Sequence, residues 1–193
     1  MSRRFADALA YACDVHEGQL RKGTGVPYVS HPIAVCSLVL EDGGSEDEAV
    51  AALLHDAVED GGGQERLADI RSRFGESVAD IVWGCSDTDQ VPKPPWRERK
   101  RRYIEHVRKA SASVRRVSCA DKLHNAWATL RDYRVHGEEL WKRFNASGDD
   151  TLWYYRELIE AFRQPGQTPL VDELARVVDA LELERSRQGP GSK

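Results

Sequence analysis

The run Ser45-Glu46-Asp47-Glu48-Ala49-Val50-Ala51-Ala52-Leu53-Leu54-His55-Asp56-Ala57-Val58-Glu59-Asp60 decides how this chain folds. Ser45 followed three residues later by Glu48 is a capping box, in which each side chain satisfies an amide at a helix start. An apolar stretch from Ala49 to Leu54 follows, and Gly61-Gly62-Gly63 supplies a stop. One helix over this span is therefore expected. On such a helix, residues three and four apart share a face, which stacks His55 over Glu59 and Asp56 over Asp60. A solvated acidic face is the plain alternative for an isolated His-Asp pair. Here Ala51-Ala52-Leu53-Leu54 leads directly into the pair, and buried charge is costly unless paired or metal-bound. We read the pair as half of a metal site.

Outward from that helix the periodicity stays helical. Phe5, Ala8, Leu9, Ala12 and Cys13 fall at spacings of three and four, the mark of an amphipathic helix. Gly18 to Pro27 reads as a loop carrying Gln19, Arg21 and Lys22, and Pro32 suits the first turn of the next helix. Leu67 to Val82 gives two short helices broken at Gly75. Asp87 to Pro95 is a polar, proline-bearing loop. From Trp96 a very basic helix runs through Arg97, Arg99, Lys100, Arg101 and Arg102, and Val114 to Leu130 forms another helix with Asp121, His124 and Asn125. Three more are expected over 138–144, 152–162 and 170–183. No alternating β run survives comparison with the helical reading. The fold class is all-α, one helical bundle over 1–185, with 186–193 a polar Gly/Pro tail expected to be disordered.

Composition bounds the chemistry. The 193 residues suffice for one domain with a real core, and the net charge of −4 argues against wholesale nucleic-acid binding. No apolar run is long enough to cross a bilayer. The acid at Asp7 interrupts the N-terminus before any signal-peptide core forms. Cys13, Cys36, Cys85 and Cys119 are scattered inside helical stretches without a CxxC. They read as small core residues in a reducing compartment, which makes the cytoplasm the expected location.

A cation bound by His55 and Asp56 needs further ligands. The candidates are His31, in Tyr28-Val29-Ser30-His31-Pro32, and Asp121, in Cys119-Ala120-Asp121-Lys122-Leu123-His124-Asn125. Taken singly, His31 suits a packed or capping role and Asp121 an ion pair with Lys122 or Arg115; the joint occurrence lifts both. The order His, His-Asp, Asp resembles the HD-domain metal-dependent phosphohydrolases. Gln19-Leu20-Arg21-Lys22 with Pro27 to Pro32, then Leu53 to Asp60, then Ala120 to Asn125 resemble three successive motifs of the guanosine (tetra/penta)phosphate hydrolases of the stringent response. These motifs span the first two thirds of the chain.

That resemblance implies an HD-domain small alarmone hydrolase with His31, His55, Asp56 and Asp121 holding one divalent ion, typically Mn²⁺. Two imidazoles and two carboxylates without thiolate suit a six-coordinate ion of that kind. It implies Glu59 and Asp60 as the pair acting on the attacking water, and Arg21, Lys22 and Asn125 as contacts to the nucleotide. Lys93 and the run 97–102 would receive the far diphosphate, although a solvated helix face is an equal reading for the run. Tyr154 and Tyr155 suit the core better than a pocket wall, and His16, His106, His124 and His136 are read as structural. Trp127 and Ala128 depart from the Arg and Thr of larger family members. The expected partner is a small nucleotide, with no nucleic acid or membrane. Adenosine alarmones and NADPH remain alternative substrates, and a non-catalytic nucleotide sensor remains the alternative of another class. A stand-alone hydrolase, without the synthetase and regulatory domains of the bifunctional enzymes, is the expected form.

Overall fold

The computed structural model describes residues 1–60, 62–86, 94–164 and 166–187, with only the backbone of Asp60. Helices follow one another as α1 (Arg3–Val15), α2 (Ser30–Glu41), α3 (Glu46–Leu54), α4 (Ala57–Asp60), α5 (Gly63–Phe74), α6 (Glu76–Cys85), α7 (Trp96–Lys109) and α8 (Ala112–His136). A 3-10 turn over Gly137–Arg143 then leads into α9 (Gly148–Arg163) and α10 (Pro169–Arg187). No strand occurs among the described residues; Leu20 and Pro27 form one isolated antiparallel bridge that pinches the α1–α2 loop. The last helix runs to Arg187 and so takes in the first two residues of the expected tail, while 188–193 lie outside the described residues.

Serine caps set four of the helix starts. Ser2, Ser45, Ser111 and Ser147 each accept a hydrogen bond from a first-turn amide, satisfying donors the helix cannot. At Ser45 the box is complete, because the Ser45 amide also donates to Glu48 Oε2 at 2.7 Å. Glu48 is itself buried. Its other oxygen accepts from Arg116 Nη1 at 2.7 Å, and Arg116 Nε donates to Asp42 Oδ2 at 3.0 Å. This bridge ties the start of α3 and the end of α2 to α8, five residues ahead of Asp121.

α8 is the central strut. It packs along its length against α2, α3, α6 and α10, with Val117, Ala120, Leu123, Ala126 and Tyr133 buried. Gly84 lets α6 come close, since a Cβ there would sit 2.5 Å from the Val114 side chain. Gly75, at φ +95°, turns the chain between α5 and α6, a conformation that side-chain-bearing residues rarely adopt.

Two expectations need correction. α3 stops at Leu54 and a turn at His55-Asp56 separates it from α4, so the expected single helix through Asp60 is broken at the motif. The His55 ring takes the Ala52 carbonyl at 2.9 Å, one of the acceptors a helix end leaves without an amide. Cys13 is exposed, whereas Cys36, Cys85 and Cys119 are buried as expected. Helical spacing placed Cys13 beside the apolar stripe of α1, just past its edge.

Candidate metal centre and adjoining cleft

Three segments converge on one point. His31 stands in the first turn of α2, His55 and Asp56 in the turn after α3, and Asp121 in the first half of α8. His31 Nε2 is 3.1 Å from Asp121 Oδ1 and 3.5 Å from Asp56 Oδ2. His55 Nε2 is 2.9 Å from Asp56 Oδ2 and 3.7 Å from Asp121 Oδ1. The side chains of His31 and His55 are each 2% exposed and that of Asp121 8%. The ligand-type atoms of His31, His55 and Asp56 lie within 4.8 Å of one another, the spacing of a group able to hold a metal ion.

The ring chemistry fits a cation at the centre. A carbonyl only accepts, so His55 Nδ1 carries the proton that goes to Ala52 O, and Nε2 of the neutral ring is a lone pair. That Nε2 is buried and has no hydrogen-bond partner, a condition buried polar atoms rarely tolerate. The four donor edges also suit ions with bonds near 2.1 Å, whose adjacent ligands lie about 3 Å apart. With no cation, the carboxylates raise the His55 pKa well above its ordinary value, against the opposing effect of burial. Burial would raise Asp56 and Asp121, but the imidazoles, and for Asp121 first of all Lys122, hold both well below the usual carboxylate range.

Each of these four side chains except His55 has a polar neighbour that also lines an adjoining cleft of about 500 Å³. Tyr28 OH donates to Asp56 Oδ2 at 2.5 Å. Lys122 Nζ pairs with Asp121 Oδ2. Asn125 Nδ2 donates to Asp121 Oδ1 at 2.6 Å, while Asn125 Oδ1 accepts from Arg21 Nη2 at 3.0 Å. His31 Nδ1 meets His124 Nδ1 at 2.7 Å. Burial, then His31 and Arg21, push the His124 pKa down to about 4, leaving that ring neutral near pH 7.

His124, read from the sequence as structural, instead reaches the ring of His31. Its partner lies on α2, so no spacing within the motif could reveal the contact. Tyr28 and Lys122 sat inside quoted motifs without a role. The other residues fall as follows. Arg21 and Lys22 line the cleft, with Lys22 Nζ 5.9 Å from the centre of the Phe144 ring. Glu59 is half-buried on α4, a residue pair past the turn; Asp60 closes that helix. Lys93 lies outside the described residues. Tyr154 and Tyr155 are buried and also line the cleft, so the core and wall readings both hold.

The basic run on α7 divides. Arg97 pairs with Asp150 and stacks over Trp153 at 4.2 Å, and Arg102 pairs with Glu98. Arg99 and Lys100 line the cleft. No helix among the described residues is long and apolar enough to cross a membrane.

Comparison with known proteins follows the same pattern. A family model described as HD domain matches residues 8–149. The chain is 38% identical over 138 residues to the guanosine-3′,5′-bis(diphosphate) 3′-pyrophosphohydrolase MESH1 of Xenopus tropicalis, covering 70% of this chain and 72% of that protein. It is 34% identical over 129 residues to the bifunctional (p)ppGpp synthase/hydrolase SpoT of Escherichia coli, covering 64% of this chain but 18% of the longer protein. A solved metazoan ortholog of SpoT, described as hydrolysing ppGpp and acting in starvation responses, superposes with a TM-score of 0.74 at 29% identity. That superposition covers 93% of this chain and 96% of the other.

Proposed function

The chain belongs to the HD-domain hydrolases, among the (p)ppGpp 3′-pyrophosphohydrolases, and from that membership we propose that it removes the 3′-diphosphate of (p)ppGpp to give GDP or GTP and pyrophosphate. The observation carrying this reading is the convergence of His31, His55, Asp56 and Asp121 around an orphaned imidazole nitrogen. These four would hold one divalent ion, and the hard nitrogen and oxygen set points to Mn²⁺. Such an ion lowers the pKa of bound water and offsets phosphoryl charge.

The chain's own residues supply the rest. Water attacks the phosphorus bonded to O3′, the P–O3′ bond breaks, and O3′ takes up a proton as pyrophosphate leaves. Glu59, with Asp60 beside it, accepts the proton from the attacking water. Arg21, Lys22 and Lys122 oppose the negative charge of the reacting diphosphate, and Asn125 hydrogen bonds the sugar. Arg99 and Lys100, which also line the cleft, receive the 5′-diphosphate, with Lys93 as a further cation for it. Arg97 and Arg102 are engaged with carboxylates of the same molecule, which favours a small nucleotide over nucleic acid as partner. Four free thiols fit a cytoplasmic location. We assign residues 1–185 to this hydrolase unit.

Incubating purified protein with Mn²⁺ and ppGpp, and measuring pyrophosphate and GDP, tests the proposal directly. Stoichiometric formation of both is expected. Intact ppGpp after prolonged incubation rejects the assignment.

A further inference from the structure

The cleft is lined by cations from several elements, including Arg21, Lys22, Arg99, Lys100 and Lys122. Among the described lining residues one carboxylate stands against them, Asp132. A carboxylate in a cleft for a polyphosphate weakens binding unless it meets a donor on the ligand. Its protein partner is weak: Arg131 Nε, from the neighbouring residue, is 3.4 Å away on a side chain 69% exposed. Exposed pairs of that kind contribute little. Asp132 is therefore poorly explained as a structural residue.

Its place on α8 suggests what it meets. At 100° per residue, Asp121, Asn125, Ala128 and Asp132 fall within about 60° of one another on one helix face. Asn125 lies about 6 Å along the axis from Asp121, and Asp132 about 10 Å farther on. Between them the cleft wall is made by the short side chains of Ala128 and Thr129. The Phe144 ring and the Asn145 amide also line the cleft, and Phe144 remains 38% exposed. A flat ring laid between Asn125 and Asp132 would thus find an aromatic surface, an amide and a carboxylate.

On the hydrolase reading above, which this inference takes as its basis, we propose that Asp132 reads the purine edge and makes the enzyme select guanosine over adenosine. Guanine presents N1–H and the N2 amine side by side, two donors for the two acceptor oxygens of an ionised carboxylate. Adenine presents one donor, the N6 amine, beside an N1 lone pair that repels the second oxygen. A site built to pair with a ligand's donors discriminates strongly against a ligand lacking them. The pairing leaves the 3′-diphosphate directed toward Asp121 and the cation cluster.

The test compares Mn²⁺-loaded protein on three 3′,5′-bis(diphosphates), those of guanosine, inosine and adenosine. Inosine keeps N1–H but lacks the N2 amine. Wild-type kcat/KM is expected to fall in that order, with guanosine favoured over adenosine by about tenfold or more. Asp132→Asn and Asp132→Ala are each expected to shrink the guanosine-to-adenosine ratio at least about tenfold, chiefly through KM for the guanosine substrate. A merely structural Asp132 would lower all three substrates together and leave the ratio fixed, which overturns the proposal. Equal wild-type rates on all three overturn it without any variant. Failure to cleave any of the three rejects the hydrolase reading itself and this inference with it, whereas cleavage without discrimination rejects only the role of Asp132.

Discussion

His31 and His124 meet through their Nδ1 atoms at 2.7 Å, joining the first turn of α2 to the middle of α8. One nitrogen must donate and the other accept. His31 Nε2 faces Asp121 Oδ1 and Asp56 Oδ2, so a lone pair there for a cation requires the proton on Nδ1, donated to His124. If His31 ligates the proposed ion, His124 fixes the tautomer and the ring angle of that imidazole, as neighbours of metal ligands commonly do. Replacing His124 by Ala should weaken Mn²⁺ binding by about 10- to 100-fold in calorimetric titration. His124→Gln, which keeps an acceptor, should recover part of the loss. Equal Mn²⁺ affinity in all three proteins would show that the contact is incidental.

The proposed mechanism assigns Glu59 the proton rather than the ion. Glu59→Gln should retain Mn²⁺ affinity within a few fold and lose turnover by about 10²-fold or more. Asp56→Ala should lose both. Full activity in the glutamine variant would require another base.

Glu48 links pH to stability. Burial opposes its charge, yet the Ser45 amide, Ser113 and Arg116 outweigh burial and lower its pKa. A folded value below the unfolded one means the stabilisation is complete above the ordinary glutamate range and is lost as pH falls through the folded value. Glu48→Gln should cost about 2–4 kcal/mol near neutral pH, where it leaves Arg116 part-buried beside one fewer charge. Urea denaturation at about pH 7 and about pH 3 should show the gap between wild type and variant narrowing at the acid end. A gap that widens on acidification contradicts the arrangement.

The thiols should divide by burial. Burial raises Cys36 and Cys85 to about 11 and Cys119 higher still, whereas Cys13 is exposed. A disulfide reagent should label one thiol promptly in the native protein and four after denaturation, since the thiolate is the reacting form. Prompt reaction of two or more native thiols would mean the helical core around α2, α6 and α8 opens readily.

Much of the fold was legible because the helices announce their own limits. Ser45 with Glu48, Gly75 and the apolar spacing of α5, α6 and α8 are all local signals, and local hydrogen bonds enforce them. The cluster was legible through three motifs whose residues meet as their order suggests. What stayed hidden depends on partners far along the chain. His124 needed His31, 93 positions away, and Tyr28 needed Asp56. The break at His55 was hidden for another reason, because a ring-to-carbonyl bond competes with the helix ladder and residue pattern does not reveal which wins. Asp132 carried no motif in the sequence, and only the shared cleft sets it among the cations.

Because α8 carries Asp121, Asn125 and Asp132 on a single continuous rod, the count of residues between them is a ruler. Deleting one residue after Ala128 would swing Asp132 about 100° around the axis while leaving Asp121 where it stands. Selectivity for the base and competence for cleavage could then drift apart through changes in length alone, with no site residue exchanged.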